Sequence, residues 1–212
     1  MSPDQATPPT LGAILAGGLA RRLGGGDKAL RRVGGRTVLA RLIERMTPQV
    51  TRLILNANDD PSRFEAVGLP VVADGLPGHP GPLAGVLAAL DWAASCEPAT
   101  EWVVTVPGDA PFLPHDLVAR LHAERHRSKA TFACAASNGW THPVVGLWPV
   151  SVREELRRAV AVEDVRKIDA FTGRHPSTAV EWPVTPVDPF LNVNTPEDLA
   201  EANRLATTDA GL

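Results

Sequence analysis

Four stretches of this chain combine residue types that suit phosphate and nucleotide chemistry. The first runs from Leu15 to Lys28 and holds five glycines (Gly17, Gly18, Gly24, Gly25 and Gly26) together with Arg21, Arg22 and Lys28. Glycines leave backbone N–H groups free to approach an anion closely, because no Cβ stands in the way. Arginine grips a phosphate with a planar fork, and lysine acts as a mobile point charge. The stretch is not a Walker A loop, since Lys28 is followed by Ala29 rather than Ser or Thr, and its glycine spacing is not that of the dinucleotide fingerprint.

The second stretch, Asn56-Ala57-Asn58, offers side-chain amides that are donor and acceptor at once, as a nucleobase edge or a ribose requires. Asp74 could accept two parallel hydrogen bonds, the pattern of a guanine N1–H and its 2-amino group. Both segments are also compatible with ordinary turns. A loop dense in Gly and Pro follows and ends in Gly81-Pro82-Leu83-Ala84-Gly85, where Gly85 would let a ring or a phosphate approach. The third stretch is Pro107-Gly108-Asp109-Ala110-Pro111. A carboxylate behind an apolar run is costly unless it is paired or holds a cation. Magnesium typically takes one or two protein carboxylates and completes its shell with substrate phosphates, so Asp109 suits a metal ligand. The fourth stretch lies late in the chain. Trp140 and His142 could stack on, or hydrogen-bond to, a bicyclic ring. Asn192 and Asn194, at i and i+2, would share one side of an extended segment.

These residues follow the elements that must place them. Short apolar runs at Leu11–Leu15, Arg52–Asn56, Pro70–Val72, Trp102–Val106, Thr131–Ala136 and Pro143–Trp148 read as strands. Several are continuous rather than alternating, as strands covered on both faces must be. Helical patterns separate them at Thr37–Met46, Leu83–Trp92 and His115–Arg127, the last behind Pro114. Ser151 and Glu154 have capping-box spacing, and Thr195-Pro196-Glu197-Asp198 reads as a second helix start. Strand and helix in alternation predict an α/β fold with a doubly wound, mostly parallel sheet, whose ligands sit beyond the carboxyl ends of the strands. The chemistry-bearing residues fall at those ends. Met1–Thr10 reads as a disordered tail, and residues 11–206 as one domain.

Composition narrows the function classes. The 212 residues are 44% hydrophobic and 21% charged, with a formal net charge of −3. There is no basic field to hold a nucleic-acid backbone. No run approaches the length of a membrane span, and no signal peptide precedes the domain. Cys96 and Cys134 form no CxxC pair.

Taken in order, Leu15-Ala16-Gly17-Gly18, Arg21-Arg22, Gly24–Lys28, Gly81–Gly85, Pro107-Gly108-Asp109-Ala110-Pro111 and Asn192-Val193-Asn194-Thr195-Pro196 resemble the MobA-type molybdenum cofactor guanylyltransferases, over roughly residues 11–205. The resemblance implies a Rossmann-like nucleotidyltransferase fold. It implies transfer of GMP from GTP to Mo-molybdopterin with release of pyrophosphate, magnesium as cofactor, a cytoplasmic monomer, and transient contact with molybdenum-insertion proteins and acceptor molybdoenzymes. It assigns Leu15, Ala16, Gly17, Lys28, Asn56, Asp74 and Asp109 to GTP, Asp109 also to the metal, and Asn192 and Asn194 to the pterin, with His142 beside them. Lys28, Asp109 and Arg22 (or Arg21) would carry the catalytic charge balance. Gly108 departs from the cysteine that many members carry there. Siblings of the same fold transfer CMP to molybdopterin or a nucleotide to a sugar 1-phosphate. A GTP-binding regulator without catalysis is the competing class, and the presence of Lys28 and Asp109 argues against it.

Overall fold

The computed structural model describes residues 7–17, 28–58, 60–76 and 81–208. Nine strands lie at Thr10–Leu15 (β1), Arg32–Val33 (β2), Arg36–Thr37 (β3), Arg52–Asn56 (β4), Val71–Val72 (β5), Trp102–Pro107 (β6), Phe132–Ser137 (β7), Trp140–Pro149 (β8) and Ser177–Trp182 (β9) among the described residues. The α-helices there are Val38–Met46 (α1), Pro82–Cys96 (α2), Leu117–Ser128 (α3), Arg153–Ala161 (α4), Ile168–Thr172 (α5) and Pro196–Thr208 (α6). Among the described residues, no helix is long and apolar enough to cross a membrane.

Seven strands form one sheet in the order β5-β4-β1-β6-β8-β7-β9. β1 pairs in parallel with β4 on one side and β6 on the other, and β4 pairs in parallel with β5. β8 is antiparallel to both of its neighbours, β6 and β7, while β7 and β9 are parallel. Six strands therefore share one direction and β8 alone is reversed. Its reversal is local in origin. Asn138 and Gly139 both adopt positive φ (50° and 77°), the backbone of a two-residue hairpin turn whose twist matches that of the flanking strands. A turn that short returns the chain antiparallel, because a parallel partner would need a long crossover.

Both faces of the sheet are covered. One core gathers Ile14, Val104, Val106, Leu42, Leu117 and Phe190, the other Leu11, Ala13, Val103, Leu87, Leu90 and Phe171. Consecutive residues of β1 and β6 thus go to opposite cores. This explains why their apolar runs show no alternation. Helix ends follow local chemistry where they can. Thr37 caps α1 through Ala40 N–H, and Thr195 and Asp198 of α6 exchange side-chain to backbone hydrogen bonds.

Two helix starts differ from the sequence reading. α3 begins at Leu117 rather than behind Pro114, because Gln49, in the 3₁₀ turn Thr47–Gln49 that follows α1, takes over as its cap. Gln49 Oε1 accepts Val118 N–H at 3.1 Å while its amide donates to Pro114 O. α4 begins at Arg153, and Ser151 falls in a preceding 3₁₀ turn. The cap residue there is Val152, with no side-chain cap bond. Glu154 instead pairs with Arg153 and Arg157.

His122 on α3 is a buried polar group with a measurable consequence. Thr10 Oγ1 donates to Pro8 O (2.7 Å), so it accepts from His122 Nε2–H (2.8 Å), and Nδ1 is left buried without a partner. Burial, with Arg125 adding to it, pushes the imidazole pKa down to about 4. The folded state thus refuses a proton that the unfolded chain accepts near 6.5. Stability is full above about pH 6.5 and is lost as pH falls from there towards 4. Urea unfolding at pH 5.5 should show a loss of order 1 kcal/mol relative to pH 7.5. A His122→Gln variant, which keeps the donor to Thr10 without titrating, should show a smaller loss; an equal loss would clear His122.

Candidate active site

The chemistry-bearing loops leave the carboxyl ends of β1, β4, β5 and β6, side by side along the sheet. At the β4–β5 end, Asp74 is held in a fork of two amides. Asn56 Nδ2 donates to one carboxylate oxygen (2.9 Å) and Asn58 Nδ2 to the other (2.8 Å), while Asn58 Oδ1 accepts Asp74 N–H at 2.9 Å. Asn56 also donates to Val72 O and is 4% exposed. Each carboxylate oxygen still has a free lone pair. The fork therefore fixes Asp74 as a two-point acceptor.

Gly85 has a different task from the one its position in the sequence suggested. A Cβ there would lie 2.4 Å from Asn56 Oδ1 and 3.2 Å from the Leu15 side chain. A glycine inside a helix costs about 1 kcal/mol relative to alanine, and here it makes room for the asparagine that holds Asp74. Asn58 belongs to the Asn56-Ala57-Asn58 stretch read from the sequence as amide chemistry, but it was not among the residues that the resemblance assigns to GTP. The signal was present, two positions beyond Asn56 at a strand end.

At the β6 end, Asp109 is mostly buried, with its side chain 19% exposed, and Lys28 Nζ stands 3.5 Å from its Oδ2. Lys28 Nζ also donates to Asn194 Oδ1 in a short contact. The backbone supports this cluster, since Asp109 O accepts Val193 N–H at 2.8 Å. Burial raises the Asp109 pKa, Lys28 opposes the rise, and Asp198 adds to it. Gly108 packs on backbone. A Cβ would come within 3.0 Å of Ala16 Cα and 3.1 Å of Leu15 O. Any side chain here must displace the end of β1 slightly.

Asp109 and Pro107 line two cavities. One, of about 80 Å³, is completed by Leu15, Ala16, Lys28, Ala29 and Gly108. The other, of about 340 Å³, is completed by Thr141, His142, Pro143, Val144, Val145, Phe190 and Asn192. The structure thus brings Leu15, Ala16, Lys28 and Asp109 together, with the Asp74 fork reaching them through Asn56 and Leu15. It sets His142 and Asn192 on the far side of Asp109. Asn194, grouped with Asn192 on sequence grounds, faces Lys28 instead. Trp140 is 74% exposed at the tip of the β7–β8 hairpin and is not among the residues lining the cleft. Arg21, Arg22 and Gly18 lie outside the described residues.

A doubly wound sheet with a cation–carboxylate pair between two cavities at its carboxyl edge is the architecture of a nucleotidyltransferase, and the family model for the MobA-like NTP transferase domain matches residues 12–179. Relatives called molybdenum cofactor guanylyltransferase are 57% identical in Rhodopseudomonas palustris (96% of this chain, 97% of that one) and 58% identical in Nitrobacter hamburgensis (96% and 98%). The crystal structure of molybdopterin-guanine dinucleotide biosynthesis protein A from Archaeoglobus fulgidus shares the fold, with a TM-score of 0.72 at 22% identity over 94% of this chain and all of that one. This chain belongs to the molybdenum cofactor guanylyltransferase family.

The fork makes a specific expectation. Gly85→Ala should push Asn56 off Asp74, with a loss of stability of about 1–3 kcal/mol, the scale of overpacking. Nucleotide affinity measured by calorimetry should fall about tenfold, the scale of one lost hydrogen bond. Unchanged affinity in a folded Gly85→Ala variant would remove the fork from nucleotide recognition.

Proposed function

We propose that this chain transfers GMP from GTP to the terminal phosphate of Mo-molybdopterin and releases pyrophosphate. The observation that carries this reading is the shared wall. Asp109 stands between a small cavity lined by Leu15, Ala16 and Lys28 and a larger one lined by His142, Phe190 and Asn192. A group-transfer reaction needs two substrates meeting at one charged point, and this geometry offers one. The nucleobase fits the Asp74 fork, whose two oxygens match a guanine N1–H and 2-amino pair. The triphosphate then runs past Leu15-Ala16-Gly17 towards Lys28. The names of the relatives agree with this reading.

The acceptor phosphate oxygen attacks the α-phosphorus of GTP. A new P–O bond forms as the bond to the β-phosphate bridging oxygen breaks, and pyrophosphate leaves with that electron pair. The nucleophile is a phosphate monoester, already largely ionised at pH 7 because its second pKa is about 6. No general base is required, and Asp109 is the one carboxylate among the described residues that line the small cavity. The residues instead position and neutralise. Lys28 is held between Asp109 and Asn194. There it can meet the charge that builds on departing pyrophosphate, with Arg22 or Arg21 as a second cation.

The Asp109 carboxylate is suited to magnesium. Its oxygens are hard donors, its burial disfavours an uncompensated charge, and its ion pair with Lys28 at 3.5 Å leaves coordination capacity free. Bound there, magnesium would supply charge neutralisation for the α-phosphate oxygens.

Two variants separate these roles. Asp109→Ala should lose turnover at saturating magnesium while keeping its thermal transition, and full activity would sink the metal assignment. Lys28→Ala should lower kcat by about 10²–10³-fold with a smaller effect on GTP affinity, the scale of a lost electrostatic stabiliser. A change in KM alone would assign Lys28 to uniform binding. Pyrophosphate release with GTP, CTP, ATP and UTP in turn, with and without Mo-molybdopterin, tests the reaction itself. Release with CTP in preference to GTP would keep the chemistry and overturn the base.

A further inference from the structure

His142 is tied to a polar chain that the transfer reaction does not explain. Its Nε2 lies 2.8 Å from Ser137 Oγ, and Ser137 Oγ donates to Asp188 Oδ2 at 3.2 Å. Ser137 is 1% exposed. The other Asp188 oxygen accepts Phe190 N–H at 2.9 Å. The His142 ring packs on the Phe190 ring, with centroids 4.8 Å apart. The chain thus joins the β7–β8 hairpin to the loop that carries Phe190 and Asn192, and it sets two residues of the cleft, His142 and Phe190.

The direction of this chain follows from donor and acceptor capacity. A carboxylate only accepts. The one hydroxyl proton of Ser137 therefore goes to Asp188, and Ser137 Oγ must accept from His142. That requires the proton on Nε2. Nδ1 then carries a lone pair, and no described residue donates to it. Unlike Nδ1 of His122, it is not a sealed, partnerless atom. His142 lines the larger cavity together with Asp109 and Asn192.

We propose that Ser137 and Asp188 are positioning residues that hold His142 as its Nε2–H tautomer, so that Nδ1 selects an acceptor substrate whose ring presents an N–H donor. The inference rests on the reading that the larger cavity receives the pterin. It goes further by giving His142 a heterocyclic N–H to recognise, rather than a phosphate. Burial lowers the His142 pKa, with Asp188 and Glu181 opposing, which favours the neutral ring that this role needs.

The test reads the tautomer directly. Long-range ¹H–¹⁵N spectra of the labelled protein, with His142 assigned through a His142→Gln variant, should show Nε2 protonated and Nδ1 bare. In Asp188→Asn the side-chain oxygen keeps Phe190 N–H, so its amide donates to Ser137. Ser137 then donates to His142, and the tautomer should flip to Nδ1–H. A structural role alone would not flip it. The flipped ring opposes donor to donor, so KM for Mo-molybdopterin should rise about tenfold or more, with KM for GTP unchanged. Ser137→Ala should lose the fixed tautomer and show the same selective rise in KM. An Nδ1–H tautomer in the wild-type protein, or an unflipped one in Asp188→Asn, would overturn the inference. So would a flipped tautomer with an unchanged KM for Mo-molybdopterin. Absence of any GMP transfer by the wild-type protein would instead defeat the proposed function, and the tautomer measurement would still report on the chain.

Discussion

The site depends on a buried negative charge that must be compensated. Asp109 sits two residues beyond the end of β6, and burial alone would drive its carboxylate towards the neutral form. Lys28 supplies the compensating charge, and Asn194 holds Lys28 in place. Three distant parts of the chain meet at this point because one charge cannot be left unpaired. The same requirement underlies the proposed binding of a polyphosphate and a divalent cation here, since both would alter a charge balance that the protein alone only partly closes.

Around that point the sheet order divides the labour. β4 and β5 lie on one side of β1, and the Asp74 fork sits at their ends. β6 and β8 lie on the other side, and their ends line the larger cavity. Asp109, just after β6, is therefore placed between the Asp74 fork and the larger cavity. Each side uses the same device. A carboxylate is clamped by neutral donors, Asp74 by the Asn56 and Asn58 amides, and Asp188 by the Ser137 hydroxyl and the Phe190 backbone N–H. Clamped carboxylates do not search for rotamers when a substrate arrives, so less conformational entropy is lost on binding.

Glycine is used here for space as well as for backbone freedom. Gly85 makes room for Asn56, and Gly108 lets the β6 loop lie against the backbone of Leu15 and Ala16. Neither has positive φ among the described residues. Their value lies in contacts made by other residues, which is why Gly85 reads from the sequence as a place for a ligand. The cysteine common at the Gly108 position in the resembling family would need the end of β1 to shift by a few tenths of an ångström.

Strands β1, β4, β5, β6, β7 and β8 and the helix faces were legible in the sequence, whereas β2, β3 and β9 were not. The legible elements follow from continuous apolar runs, for strands covered on both faces, and from a period of 3.6 residues, for the helices. The cap of α6 was legible for the same reason, being closed within four residues. Tertiary structure alone decided the rest. The Asn138–Gly139 turn signals a hairpin locally, but only the sheet order shows that β8 separates β6 from β7. Asn194 meets Lys28 across 166 residues and Ser137 meets Asp188 across 51. The helix start at Leu117 likewise answered to a distant partner, Gln49. Spacing along the chain specifies local geometry, because the backbone period is fixed. Which side chain closes a distant hydrogen bond depends on how the layers pack, and that is settled only when the whole sheet is assembled.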